Sequence, residues 1–498
     1  MIDNKLQSYY TTNHHILRYM VQMIEPKDTD TIFEPCGGCG DFIDALLSYN
    51  SLLKIETCDI DETAVSCMQQ KYANNGNINI RQTDTLIDPQ LDMYSMVGYY
   101  DKIIGNPPYG AWQEINRRLD LKRKYGGFYA KETYSLFLLR CVSLLKEEGL
   151  LSFIIPDTFL FLHNHNQLRN YLLTNTLIRE ILIFPSKYFP GVSFGYSNLS
   201  IITVQRTHDI SKALNNTISI FNKFNNETEI SIDPNKKKGL NRIDLTQEEV
   251  YETQHHCFIL DNGEYSKVIR EPSLTLGDIA DCVTGIYTGD NKRFIFAKDL
   301  STKGAKNYRA VETVLIDYEC NSLSGTQEPM RYVPLIKGNP KNSYFRGEAE
   351  WFIDWSASAI KHYTTDTKAR FQNSKYYFKT GVALPMIKSS QIKATLFEKA
   401  VFDQSIVGVF PKQESDLFYI LGLLNSSIFN RLLHLVNPTA NNSAKYIRKT
   451  PVPRLNKTQK TEIANLVQKR LSCLEPDALD KDIDEVFENL YMLSGAAV

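Results

Sequence analysis

The chain has 498 residues, of which 43% are hydrophobic and 23% charged, and its formal net charge is −1. This length suits two or three domains with full-size cores, and the composition excludes a disordered protein. The N-terminus lacks a signal-peptide pattern, and the most apolar run, residues 150–162, is too short to span a bilayer. Nine scattered cysteines suit a reducing compartment. We therefore expect a cytoplasmic protein without a membrane partner.

Positive charge is concentrated in one segment. Residues 331–460 contain 20 Lys and Arg against 8 Asp and Glu, a net charge of +12, so the rest of the chain carries −13. Aromatic residues are interleaved with these cations. The combination is typical of a surface that follows phosphates and contacts bases, although a basic domain with its aromatic residues in the core explains it equally well.

The first ~210 residues alternate short apolar runs with helical patterns, which predicts βαβ units and a parallel sheet. The predicted strands are Thr31–Phe33, Leu53–Cys58, Ile78–Gln82, Lys102–Gly105, Leu151–Ile155, Ile178–Phe184 and Leu199–Val204. The predicted helices include residues 41–49, 61–72 and 132–146, the last ending at Gly149. We therefore predict a doubly wound, mainly parallel α/β domain.

The rest of the chain is patterned less regularly. Residues 208–245, rich in Asn, Thr and Lys, are interpreted as a peripheral hairpin and a linker. A mixed α+β domain is expected after them, and apolar residues recur at helical spacing near the C-terminus. The predicted domains are residues 1–245, 246–456 and a helical segment 457–498.

The first predicted strand enters a glycine-rich turn, residues 34–40. Closely spaced glycines let backbone approach a ligand at the carboxyl ends of parallel strands. The pyrophosphate fingerprint Gly-x-Gly-x-x-Gly is absent, which argues against NAD or FAD, and an acid at Glu34 suits an ammonium or sulfonium group. Asp59 and Asp84 follow the next two strands, where they can hold ribose hydroxyls and an adenine amino group. Together the three acids predict a pocket for S-adenosylmethionine, although each alone could be a helix cap.

The fourth predicted strand ends in Asn106-Pro107-Pro108-Tyr109, which should arise by chance in roughly one chain of this length per thousand. An Asn side-chain oxygen and a rigid backbone carbonyl can both accept from one –NH2 group, while an aromatic ring stacks on the planar system that carries the amine. Two acceptors favour a pyramidal nitrogen whose lone pair is free to attack. The prolines fix φ and so direct the carbonyls. A plain Pro-Pro turn is the alternative.

In this order the motifs resemble those of the DNA amino-methyltransferases, specifically the adenine-N6 enzymes of the TaqI type, which have the gamma order. The resemblance covers residues 9–206 motif by motif and the remainder only by domain order. It implies a Rossmann-like methyltransferase sheet in domain 1–245 and a DNA target-recognition domain over 246–456.

The resemblance also implies residue roles. Thr12 and Glu34 would hold the methionine end of S-adenosylmethionine, Asp59 the ribose, and Asp84 the adenine N6. Further cofactor contacts would come from Pro35, Cys36, Gly37, Gly40, Ile60 and Pro108. The catalytic set would be Asn106 and Pro107 as acceptors for the target amine, Tyr109 stacked on the base, and Phe189 as the second ring.

Two assignments have alternatives. The family usually has Thr-Pro where this chain has Thr12-Asn13, so Thr11 remains a candidate beside Thr12. Phe184 and Phe194 are alternatives to Phe189. Cys36 and Cys39 have the spacing of half a zinc site, but no second pair follows, so we predict structural cysteines and no metal.

Two further segments are candidates for DNA contact. The cations in residues 117–124 would face the DNA backbone, or else form a solvated helix face. Residues 437–442 offer amides suited to base edges beside cations suited to phosphates, with a plain loop as the alternative.

The resulting hypothesis is methyl transfer from S-adenosylmethionine to N6 of an adenine flipped out of double-stranded DNA. We expect a monomer without a nuclease domain, with a separate cognate endonuclease as a possible partner. The alternatives are an RNA or protein-glutamine amino-methyltransferase, a DNA cytosine-N4 methyltransferase, and a DNA-binding protein with an inactive methyltransferase fold.

Overall fold

A computed structural model describes residues 11–110, 115–129, 132–189, 198–261, 265, 268–269, 274–345, 347–387, 391–437, 441–473 and 477–496. The chain divides into two compact units, residues 1–262 and 263–498. Within the described residues, no helix combines the length and apolar character needed to cross a membrane.

The first unit is built on one nine-stranded sheet. Its strands are β1 Thr31–Glu34, β2 Lys54–Asp59, β3 Ile78–Gln82, β4 Tyr100–Gly105, β5 Leu145–Pro156, β6 Thr176–Pro185, β7 Asn198–Arg206, β8 Thr217–Asn222 and β9 Asn241–Thr246. They lie in the order β3-β2-β1-β4-β5-β7-β6-β8-β9. Strands β1 to β5 pair in parallel, and β7 lies antiparallel between β5 and β6. The prediction of a doubly wound, mainly parallel sheet is confirmed.

The helices of this unit alternate with the strands. They are α1 His14–Ile24, α2 Asp41–Tyr49, α3 Glu62–Lys71, α4 Pro89–Val97, α5 Ile115–Lys124, α6 Thr133–Leu144, α7 Asn166–Asn175, α8 Ile210–Leu214, α9 Pro234–Lys237 and α10 Gln247–Glu252. Helix α1 begins after Asn13, whose side chain accepts from the backbone N–H groups of His15 and Ile16. Strand β5 pairs on both edges, and its residues 151–156 are all buried, which explains their unbroken apolar pattern.

The structure differs from the sequence prediction around Gly149. Helix α6 ends at Leu144, and β5 begins at Leu145. Gly149 therefore lies inside the strand, where an added Cβ would come 3.0 Å from the carbonyl oxygen of Lys146 and 3.1 Å from that of Asp101. Glycine is required here by close backbone approach and not by a helix end.

Residues 208–245 extend the sheet and are not a linker. Strand β8 pairs in parallel with β6, and β9 is antiparallel to β8. Helix α10 follows with the fully buried Gln247, whose Oε1 accepts from the backbone N–H of Ile178 (2.7 Å). Its Nε2 donates to the carbonyls of Leu173 and Thr176, both at 2.9 Å. The first unit thus continues past residue 245, the boundary expected from the sequence.

The second unit contains two five-stranded sheets, which agrees with the expected mixed α+β class. The first consists of β10 Ala280–Thr284, β19 Ile406–Pro411, β16 Gly381–Pro385, β17 Thr395–Phe397 and β14 Tyr344–Phe345. The second consists of β12 Arg309–Ala310, β11 Ile295–Ala297, β15 Trp351–Asp354, β13 Tyr332–Ile336 and β18 Val401–Phe402.

The described helices of this unit lie mainly towards the C-terminus. They are α11 Leu276–Ile279, α12 Asn291–Phe294, α13 Ala357–Thr365, α14 Leu417–Asn425, α15 Ser427–Val436, α16 Ala444–Lys449, α17 Lys457–Leu471 and α18 Asp477–Ala496. Val467 of α17 and Phe487 of α18 are fully buried and share one hydrophobic cluster with residues of β10 and β16. The C-terminal helices therefore complete the core of this unit instead of forming a separate segment.

Candidate active site

The residues predicted to form the site follow four neighbouring strands. Glu34 is the last residue of β1, Asp59 is the last of β2, Asp84 lies just beyond β3, and Asn106 directly follows β4. Because β3, β2, β1 and β4 are adjacent and parallel, their carboxyl ends meet at one edge of the sheet. The chain reverses its strand order between β1 and β4, which is where doubly wound sheets bind ligands.

The glycine-rich turn is fixed by backbone bonds to β2. The N–H of Gly37 donates to the carbonyl of Cys58 at 3.0 Å, and the N–H of Gly38 donates to Oδ2 of Asp59 at 2.9 Å. A Cβ on Gly37 would lie 2.4 Å from Oγ1 of Thr57. Gly40 has φ of +86°, and its Cβ would lie 2.4 Å from the hydroxyl of Tyr72. Both glycines are thus demanded by packing against the fold itself.

Glu34 is a buried acid without an internal partner for one oxygen. It is 1% exposed, and in the described part of the chain its Oε2 has no hydrogen-bond partner. Burial raises the pKa of its carboxyl well above the usual range, and the carboxylates of Asp59 and Asp41 raise it further. A cationic ligand group would relieve both effects. The site therefore fits the ammonium or sulfonium end of S-adenosylmethionine.

Asp59 is held in place by backbone donors. Its Oδ1 accepts from the N–H of Asp61 at 3.0 Å, and its Oδ2 accepts from Gly38. Burial raises its pKa, and these two hydrogen bonds oppose that shift. Each carboxylate oxygen keeps a second lone pair for a hydroxyl donor. Ile60 follows Asp59 in the chain, and 43% of this apolar residue is exposed. Such exposure is expected of a residue that covers a planar ligand.

Asp84 has a partner that sequence reasoning missed. Its Oδ2 lies 2.6 Å from Nη2 of Arg117 on α5, and its Oδ1 accepts from the N–H of Leu86 at 3.0 Å. From the sequence, Arg117 is expected to face DNA or to lie on a solvated helix face. Only the fold brings residues 33 positions apart together, so no local pattern could reveal this ion pair.

The turn at residues 106–109 is braced from three sides. Nδ2 of Asn106 donates to Oγ1 of Thr11 at 3.2 Å, and the backbone carbonyl of Asn106 accepts from Sγ of Cys36 at 3.3 Å. The carbonyl of Pro108 accepts from Oγ1 of Thr133, the first residue of α6, at 2.7 Å. The turn is therefore connected to the N-terminal segment, the glycine-rich turn and α6.

Pro107 differs from its neighbours. In the described residues its carbonyl accepts no hydrogen bond, whereas the carbonyls before and after it are both engaged. Prolines have no N–H, so this turn can be held only through its oxygens and side chains. Within the part of the chain that the structure describes, the carbonyl assigned to the target amine is thus the one of these three without a hydrogen bond. Tyr109 is almost completely buried at 1% exposure.

The N-terminal threonines exchange their expected positions. Thr11, the alternative candidate, is 3% exposed and bonds to Asn106. Thr12, the residue assigned to the cofactor, is exposed in this structure. The structure thus places Thr11, the alternative candidate, against the turn at residues 106–109.

Two of the three aromatic candidates, Phe184 and Phe189, lie in different environments in the structure. Phe189 is 2% exposed and follows a short 3-10 helix, Ser186–Tyr188. Phe184 is fully buried in β6 and packs edge-on against Phe224 at 6.4 Å between ring centroids, which is a core contact. Phe194 lies outside the described residues. Phe189 and Tyr109 share one cluster of buried residues.

A further acid follows the adjacent strand. Asp157 comes directly after β5, and its Oδ2 accepts from Nδ2 of Asn198 at 3.2 Å. Burial raises the pKa of this carboxyl to about 6, and the bond from Asn198 opposes the shift. The sequence carries a signal for this residue, since an acid that directly follows an apolar strand is the same pattern as at Asp59.

Several side chains of the two segments expected to contact DNA have partners within the protein. Nδ2 of the buried Asn437 donates to the carbonyl of Asn441 (3.0 Å) and to Oδ1 of Asn442 (3.2 Å). Asn442 is 1% exposed, so neither of these two amides is presented to a base. On α5, Arg123 and Lys124 form ion pairs with Asp120 and Asp92, and Arg117 pairs with Asp84. Residues 438–440 lie outside the described part.

Most aromatic residues of the basic segment belong to the core of the second unit. The buried rings include Tyr332, Tyr344, Trp351, Trp355, Tyr363, Tyr376 and Tyr377. Phe345 is the clear exception at 64% exposure. The interpretation of these rings as a base-contacting surface is wrong for the buried set, and the core alternative is confirmed for it.

The sequence is similar to methyltransferases of restriction-modification systems. Residues 45–189 match the family described as Eco57I restriction-modification methylase. The chain is 26% identical over 310 residues to the Type II methyltransferase M.HindII of Haemophilus influenzae, covering 57% of this chain and 54% of that protein. It is 22% identical over 410 residues to the adenine-specific methyltransferase BrxX of Escherichia coli, covering 80% of this chain and 32% of that protein. The matched part therefore spans 54% or less of either relative.

The fold as a whole also has a known counterpart. The ATP-dependent Type ISP restriction-modification enzyme LlaBIII, solved bound to DNA, is similar with a TM-score of 0.56 at 12% identity. The match covers 93% of this chain and 39% of that one. The likeness concerns the fold.

Proposed function

We propose that this protein is a DNA methyltransferase that transfers a methyl group from S-adenosylmethionine to N6 of an adenine extruded from duplex DNA. The observation that carries the proposal is the turn at 106–109, which is fixed on three sides. Among the described residues the carbonyl of Pro107 accepts no hydrogen bond, which leaves it suited to an amine donor. Glu34, a buried acid suited to a cationic ligand, ends the adjacent strand β1. The similarity to restriction-modification methylases supports DNA as the substrate.

S-adenosylmethionine supplies the electrophilic methyl group when it is bound. Glu34 neutralises the positive charge at the methionine end, Asp59 accepts from the ribose hydroxyls, and Asp84 accepts from the adenine amino group. Pro35, Cys36, Gly37 and Gly40 shape the turn around this site, together with Ile60, Pro108 and a threonine of the pair 11–12.

The target amine is activated by acceptors and not by a base of altered pKa. The side-chain oxygen of Asn106 and the carbonyl of Pro107 accept its two hydrogens, which localises the nitrogen lone pair and stabilises the positive charge that develops on attack. Tyr109 and Phe189 contact the faces of the base. Because N6 is paired within the duplex, the base must leave the stack first. The orientation of the reactants and electrostatic stabilisation then account for the rate enhancement.

The second unit would act as the target-recognition domain, with the cations of residues 331–460 following DNA phosphates. The adenine assignment is supported by the Asn at position 106 and by the similarity to the adenine-specific BrxX. We propose action as a monomer in the cytoplasm, beside a separate cognate endonuclease where one exists.

Transfer of a labelled methyl group to different classes of substrate tests the proposal directly. The protein is incubated with methyl-labelled S-adenosylmethionine and, separately, with duplex DNA, RNA and total protein, and the products are hydrolysed. We expect label in DNA as N6-methyldeoxyadenosine. Label in N4-methyldeoxycytidine, in RNA or in glutamine of protein would overturn the choice of substrate.

A further inference from the structure

The ion pair between Asp84 and Arg117 places a cation at the predicted adenine end of the cofactor pocket. The two side chains meet at 2.6 Å, with 12% of the Asp84 side chain and 40% of the Arg117 side chain exposed. The Nε atom of Arg117 is buried and, among the described residues, has no hydrogen-bond partner. The guanidinium of Arg117 therefore lies beside the acid expected to accept from the adenine amino group.

Helix α5 is attached firmly to the segment that carries Asp84. Besides the Asp84–Arg117 pair, Nζ of Lys124 lies 2.8 Å from Asp92, and the hydroxyl of Tyr125 donates to the carbonyl of Leu86 at 2.7 Å. Leu121, between these contacts, is 1% exposed. Three polar contacts and one buried side chain, on α5 and on the residue that follows it, fix the position of this helix, so Arg117 is directed at Asp84 by the fold.

The chemistry of the pair suits adenine. A carboxylate that accepts from the N–H of Leu86 on one oxygen and from a guanidinium on the other is fixed in orientation. Both oxygens retain lone pairs for an amino group. Adenine presents a 6-amino donor with ring-nitrogen acceptors beside it, whereas hypoxanthine presents a 6-oxo acceptor.

We propose that Arg117 is a positioning residue for cofactor recognition: it orients Asp84 so that the pocket accepts the 6-amino group of adenine and rejects a 6-oxo group. This inference rests on the proposed use of S-adenosylmethionine. It assigns Arg117 to the cofactor pocket and removes it from the set of cations available to DNA.

The test compares two ligands on the same protein. Dissociation constants for S-adenosylhomocysteine and S-inosylhomocysteine are measured by calorimetry with the full chain and with Arg117→Gln, Arg117→Lys and Asp84→Asn. We expect Arg117→Gln to weaken S-adenosylhomocysteine binding by about tenfold, to leave S-inosylhomocysteine binding within about twofold, and so to reduce the preference for adenine. Arg117→Lys should restore part of that preference. Asp84→Asn should remove it.

The matched control is Arg118→Gln, the neighbouring residue on α5, which is exposed and should leave both constants unchanged. A misfolded variant would lose affinity for both ligands in parallel and would leave their ratio intact. An unchanged ratio, or tighter S-adenosylhomocysteine binding, in a folded Arg117→Gln protein overturns the inference. Failure of the unaltered protein to bind S-adenosylhomocysteine would instead refute the proposed function.

Discussion

The two units use their polar and aromatic residues in opposite ways. In the first unit the informative side chains are single polar residues at the ends of strands or directly after them, such as Glu34, Asp59 and Asn106. Asp59 is held by backbone donors, and Asn106 donates to Thr11. In the second unit the conspicuous side chains are aromatic, and residues such as Trp355 and Tyr363 fill the core.

The difference shows which sequence signals carry chemistry. A polar residue directly after a buried parallel strand has to lie at the ligand-binding edge of the sheet, because the strand fixes its position. Interleaved aromatic and basic residues in short strands have no such constraint, since alternate residues of a half-buried strand point into the core. The spacing of rings alone therefore does not distinguish a core from a binding surface.

Removing the amide of Asn106 should have the largest effect. Asn106→Ala removes one of two acceptors for the target amine, so methyl transfer should fall by about 10³-fold. S-adenosylhomocysteine binding should stay within about twofold, because Glu34, Asp59 and Asp84 are intact. The control is Asn79→Ala, an exposed asparagine in β3. Near-normal activity of Asn106→Ala in a labelling assay would refute the mechanism.

Truncating a ring of the second unit should act on stability. Trp355 is fully buried, and its Nε1 donates to the carbonyl of Ser322 at 2.8 Å. Trp355→Ala should cost about 3–5 kcal/mol of unfolding free energy, seen as a lower denaturation midpoint. The exposed Phe345 is the control, and Phe345→Ala should leave that midpoint unchanged. A stable Trp355→Ala protein that loses only DNA affinity would restore the base-contact interpretation.

Neutralising the buried acid of β1 should weaken the cofactor site selectively. Glu34→Gln removes the charge that faces the cationic end of the ligand, so S-adenosylmethionine should bind about tenfold more weakly. Because burial raises the pKa of Glu34, the unaltered protein should lose affinity as the pH is lowered towards that pKa. Glu34→Gln should show a flatter pH profile, and the exposed Glu62→Gln should behave like the unaltered protein. Identical profiles for Glu34→Gln and the parent would contradict this role.

The smallest effect is expected at Asp157. Its pKa rises from 3.8 to about 6 on folding, so folding favours the neutral carboxyl at pH values below about 6. Its stabilising contribution is complete below pH 3.8 and is lost as the pH rises through about 6. Asp157→Asn cannot lose stability in this way. The difference in denaturation midpoint between the variant and the parent should therefore shift by a few degrees in favour of the variant as the pH rises between these values. A constant difference across that range would argue against a buried neutral carboxyl.

Much of the first unit was predictable because periodicity and strand-end residues are local signals. The predicted strand Ile78–Gln82 is β3, and the predicted helix over 41–49 is α2. The Arg117–Asp84 pair was not predictable, because it depends on how α5 packs. The same is true of the bond from Thr11 to Asn106, since a family pattern favours Thr12 and only the path of the chain before α1 distinguishes the two.

The buried amide of Gln247 has a practical consequence for dissecting the protein. Its hydrogen bonds satisfy the backbone N–H of Ile178 and the carbonyls of Leu173 and Thr176 from a position beyond the boundary expected at residue 245. A first unit expressed only to residue 245 would leave these groups unsatisfied, each at a cost of about 1–3 kcal/mol. Expression of the first unit by itself should therefore extend at least to residue 261.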